Sequence, residues 1–110
     1  MTHQEGNKLI AEFMGWTEIP GNMMKEKLGV PPIRMEELKF HSSWDALIPV
    51  VEKIQSIVIQ NDDEFSIEFY YGLSSDELKT FVSVGDIKIS HESPITAVWQ
   101  TVIKFIQNDI

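Results

Sequence analysis

The chain has 110 residues, no cysteine, and 17 acidic against 9 basic side chains, for a net charge of −8. That length suits a single domain, read as residues 1–110, that buries about two-thirds of its unfolded surface. Missing thiols exclude disulfides, thiolate nucleophiles and cysteine-based metal sites, and the carboxylate excess opposes the phosphate neutralisation on which non-specific nucleic-acid binding rests.

No apolar run approaches the ~20 residues of a bilayer span, and Met1 to Gly6 lacks the basic and apolar regions of a signal peptide. The expectation is a cytoplasmic protein with no membrane partner and no direct nucleic-acid partner.

In chain order, Leu9, Ile10, Phe13 and Met14 recur at helical spacing, with Lys8 and Glu12 four apart on the opposite face. This predicts a short amphipathic helix from Asn7 to Met14, ended by Gly15. Thr17 to Lys39 shows no sustained period and holds Pro20-Gly21, Gly29 and Pro31-Pro32, so it reads as a long loop. Loops of that length are uncommon inside a domain unless they bind or cover something, and the alternative reading is a solvated insertion. Leu47, Ile48, Val51, Ile54 and Ile57 predict a second helix over 43–57, capped by Ser42 or Ser43, with Pro49 expected to kink or open it near Asp45.

Phe65, Ile67, Phe69 and Tyr71 alternate with polar residues and predict a strand over 65–71. Gly72 to Lys79 reads as a turn or half-helix. Val82 and Val84 share one parity while Ile87 and Ile89 share the other, so either a bulge or a tight hairpin turn resets the register at Gly85-Asp86 within 81–89, the bulge being the favoured reading. Ser93 and Pro94 then start a helix whose apolar stripe runs from Ile95 to Ile106 and ends at Gln107-Asn108. The pattern is α+β, about three helices covering a small antiparallel sheet, with Phe13, Leu47, Val51, Ile67, Phe69, Val98, Trp99 and Val102 as candidate core.

Three blocks, Asn7 to Trp16, Phe40 to Ile54 and Ala97 to Ile106, together resemble the small phage and prophage proteins grouped as the phage ABA sandwich domain. The resemblance implies an α/β/α-type sandwich encoded by a phage or an integrated element, acting in the cytoplasm of a bacterial host. It supplies no catalytic residue.

His41, Ser42 or Ser43, and Asp45 are the residue types of a nucleophilic triad, but sequence neighbours point apart and no glycine-flanked nucleophile elbow is present. His3, His41 and His91 have no ligand spacing, and Asp62-Asp63-Glu64 lacks the pattern of a calcium loop. The chain is therefore read as non-enzymatic, without metal or cofactor.

A binding reading is stronger. The helix start at Ser43 offers unpaired N–H groups, Trp16 and Trp44 offer flat rings, and Arg34, Lys39 and Lys53 offer positive charge, with His41 alongside. The expected ligand site joins Trp16, Arg34, Lys39, His41, Ser43 and Trp44, where the 17–39 loop meets the second helix. The function expected is sequestration of a small ligand, a nucleotide-derived host immune signal by analogy with other small phage proteins, in a homo-oligomer. The alternative is a protein-interaction module that inhibits or adapts a host protein without a small-molecule ligand.

Overall fold

A computed structural model describes residues 2–71 and 78–109, with the side chains of residues 69–71, 78 and 109 left out of the description. Helix α1 spans His3–Phe13 and starts earlier than the apolar pattern indicates, because Thr2 caps it: its hydroxyl accepts from Glu5 N at 3.1 Å and donates to the Glu5 carboxylate at 3.0 Å. This reciprocal arrangement resembles a capping box and stabilises a polar first turn that periodicity cannot reveal. Gly15, at φ +91°, turns the chain out of the helix. Trp16 N then returns to the Ala11 carbonyl at 2.9 Å.

The 17–39 segment is not the expected long loop. It folds into a small antiparallel sheet of β1 (Thr17–Ile19), β2 (Met23–Lys25) and β3 (Ile33–Arg34), followed by a single 3-10 turn at Met35–Glu37. Gly21 and Asn22 make the β1–β2 turn with φ of +94° and +60°, conformations that glycine and asparagine tolerate best. Strands of two or three residues are too short to display alternation. What holds them is burial of Met24, Met35 and Leu38 in the core and a hydrogen bond from Met35 N to Asn22 O. At the surface Lys8 of α1 meets Glu18 of β1 at 3.0 Å, and its hydrogen bond to Glu18 and that carboxylate's charge hold its pKa above the usual lysine value.

Helix α2 spans Trp44–Val58 and is capped by Ser43, whose Oγ accepts from Ala46 N at 3.4 Å. It continues as one helix through Pro49, which lacks the N–H that would otherwise serve the Asp45 carbonyl. Lys53 Nζ donates to the Phe13 carbonyl at the end of α1 and lies over the Phe13 ring at 4.4 Å, which ties the two helices.

The second sheet comprises β4 (Phe65–Tyr71), β5 (Leu78–Val84) and β6 (Ile87–His91), antiparallel and in sequential order. The bulge expected at Gly85-Asp86 is absent. Val84 pairs directly with Ile87 across a two-residue turn in which Gly85 takes φ +58°. Such a turn carries the parity change by itself, because Val82, Val84, Ile87 and Ile89 then point to one face. Residues 72–77 of the expected turn or half-helix lie outside the described residues, and Leu78 and Lys79 belong to β5.

Helix α3 spans Pro94–Asp109, with Ser93 Oγ accepting from Thr96 N at 3.3 Å. It lies across β5 and β6 and against α1 and α2. The fold is α+β, with three α-helices and two three-stranded antiparallel sheets among the described residues.

Leu47, Val98, Trp99 and Val102 are buried as expected. Phe13, Val51 and Ile67 are instead half-buried, packed against the core from its margin, and the Phe69 side chain lies outside the described residues. The core is completed by Ile10, Met24, Val50, Ile54 and Val82. Among the described residues no helix is long and apolar enough to cross a membrane.

Candidate functional site

The start of α2, the 37–43 segment that precedes it, Met14 and Trp16 after α1, Glu26 next to β2 and Ile33 of β3 line a groove of about 790 Å³. Its inner surface is apolar: Leu38 and Phe40, in the wall formed by the 38–43 segment, are buried, and Met14, Trp16, Ile33 and Ala46 are half-buried. Trp16 meets Phe40 edge to face, with ring centroids 6.0 Å apart, so this surface holds a packed aromatic corner. The exposed rim is mostly acidic, with Glu26, Glu37 and Asp45 against Lys39. Pro49 also lines the groove.

Of the six expected site residues, Trp16, Lys39 and Ser43 line this groove. Ser43 Oγ already serves as the helix cap. Arg34 does not reach the groove: it is exposed in β3 and paired with Glu36 at 3.7 Å. Trp44 opens α2 at 39% exposure and is also outside the lining. The cations that were to hold an anion are thus reduced to Lys39, since Lys53 is engaged by Phe13. The carboxylates Glu26 and Glu37 carry no periodic signal and enter the rim only because the 17–39 segment folds as a sheet.

His41 lies behind the groove wall in a polar cluster anchored on Asn7. Asn7 is 1% exposed; its Nδ2 donates to Leu38 O at 2.9 Å and contacts His41 Nδ1 at 2.7 Å, and its Oδ1 accepts from Trp99 Nε1 at 2.8 Å. The His41 ring stacks on His3 with centroids 4.2 Å apart, and both imidazoles meet Trp99 edge-on. Burial, and secondarily the neighbouring His3, hold the His41 pKa below its usual 6.5.

Among the described residues, no hydrogen bond joins His41 to Ser42, Ser43 or Asp45, so the triad residue types do not converge. Among the described residues, no group of three or more His, Asp or Glu side chains is arranged to hold a metal ion. Asn7 is not among the residues expected at the site; a polar side chain on the helix face that also carries Ile10 is the one signal the sequence holds for it.

Comparison with known family models, with curated proteins and with solved structures yields no match.

Proposed function

We propose that this chain is a non-enzymatic interaction module whose groove takes a short segment of a protein partner rich in large apolar and basic side chains. The observation that carries the reading is the groove's composition: an apolar, aromatic inner surface beneath a rim where Glu26, Glu37 and Asp45 outnumber Lys39. An acceptor-rich rim over an apolar surface complements Lys or Arg flanking Leu, Phe or Trp, because the stems pack on that surface while the charged heads meet the carboxylates. A net charge of −8 draws such a partner in. On the resemblance to phage proteins, the partner is a protein of the bacterial host.

Sequestration of a nucleotide-derived signal keeps Trp16 as a stacking surface and Lys39 as a cation. It must place phosphates beside three carboxylates, so the interaction reading is preferred.

Fluorescence anisotropy with labelled peptides alternating Leu or Phe with Lys or Arg tests this directly. Binding should weaken with added salt and on Glu37→Gln or Asp45→Asn, and Trp16→Ala should weaken it most. A preference for acidic peptides, or tight binding of nucleotides that those two charge-removing substitutions strengthen, would overturn it.

A further inference from the structure

The hydrogen-bonding roles around Asn7 leave no freedom. The Trp99 indole N–H can only donate and the Leu38 carbonyl can only accept, so the Asn7 amide must direct its oxygen to Trp99 and its nitrogen to Leu38. Its remaining N–H then meets His41 Nδ1 at 2.7 Å, and that nitrogen must present a lone pair. His41 is thereby held neutral, with its proton on Nε2.

We propose that His41 is a pH-responsive latch on the groove: a proton added at Nδ1 sets two donors against each other and releases the Leu38–Phe40 wall. The inference rests on the groove reading for its functional consequence but not for its chemistry. Asn7 is buried, so a displaced N–H has no ready replacement from solvent and the pair must separate. The same amide nitrogen holds Leu38 O, and His41 follows Phe40 directly, so separation acts on both buried groove residues of the wall, Leu38 and Phe40.

The groups facing the ring are few. Helix α1 presents His3, stacked at 4.2 Å, and neutral Asn7; α3 presents the Trp99 indole; the 38–43 segment contributes the Leu38 carbonyl to the same cluster. No carboxylate forms an ion pair with His41 among the described residues. Burial, and after it the stacked His3, oppose a charge on His41.

Imidazole nitrogen and backbone amide spectra recorded by NMR on the full chain between about pH 8 and pH 5 test the latch without any ligand. His41 should show the Nε2–H form at high pH, and the amides of Leu38, Lys39 and Phe40 should shift with the midpoint of His41. His3→Ala should raise that midpoint while preserving the coupled shifts. A Nδ1–H form at high pH, or wall amides that ignore the His41 midpoint, would overturn the proposal.

The same basic apolar peptide should bind several-fold more weakly at the low-pH end. His41→Asn, which keeps an acceptor but does not titrate, should flatten that dependence. Absence of peptide binding at every pH would count against the groove reading while the spectra still decide the latch. Should His41→Asn fail to fold, the wild-type and His3→Ala spectra remain decisive.

Discussion

The two sheets of this protein are both three-stranded and antiparallel, yet different forces hold them. In β4–β6 the strands are seven, seven and five residues long, and an inward row of Val82, Val84, Ile87 and Ile89 meets α3. In β1–β3 the strands have three, three and two residues, and Met24 is their one fully buried side chain. The β4–β6 sheet carries its own apolar pattern and would seek a helix wherever one was offered. The β1–β3 sheet is organised by what it covers, and its Ile33 lines the groove. A sheet that depends on its cover for order is suited to shaping a binding surface, because its stability is local and adjustable.

The largest effect should come from the residue that serves both halves. Trp99→Ala removes a buried ring and the donor that orients Asn7, and should cost about 3–5 kcal/mol in urea unfolding. Trp99→Phe, which keeps much of the apolar area, should lose less.

Met24→Ala should cost about 2–3 kcal/mol, with hydrogen exchange rising first over residues 17–34. Equal loss of protection in β4–β6 would show that the two sheets are one cooperative unit and break the contrast.

Gly6→Ala probes the α1–α3 seam, where an added Cβ would fall 2.3 Å from the Trp99 ring. Overpacking there should lower stability by about 1–3 kcal/mol, and a structure of the variant should show the Trp99 ring displaced.

Acid should act through the groove side. Because the His41 pKa is depressed in the folded protein, the unfolded chain binds that proton more readily. The stability contributed by the neutral ring is present above the usual 6.5 and is lost as pH falls through the folded-state value. Melting temperature should decline over that window, and less so in His41→Asn.

The smallest effect is expected in the other sheet. Thr80 Oγ1 is buried without a hydrogen-bond partner among the described residues, so Thr80→Val should be neutral or stabilising by up to about 1 kcal/mol.

Periodicity and caps made much of this legible from the chain alone. The stripe of α3, the Ser93 and Ser43 caps, and the alternation from Phe65 to Tyr71 are local signals, each arising within about one element's length of sequence, and they determined the three helices and the principal sheet. They also brought Trp16, Lys39 and Ser43 to one place by pointing to the junction between the 17–39 segment and α2.

Tertiary structure decided the rest. Residues 17–39 became a sheet because Met24, Met35 and Leu38 found a core already assembled from distant helices, and pairing over two or three residues leaves no pattern to read. That folding set Glu26 and Glu37 on the groove rim and left Arg34 outside it, which reversed the expected charge of the site. The Asn7–His41–Trp99 cluster joins residues 34 and 92 positions apart. Its donor and acceptor roles exist only once α1, α3 and the 38–43 segment have closed around one buried amide.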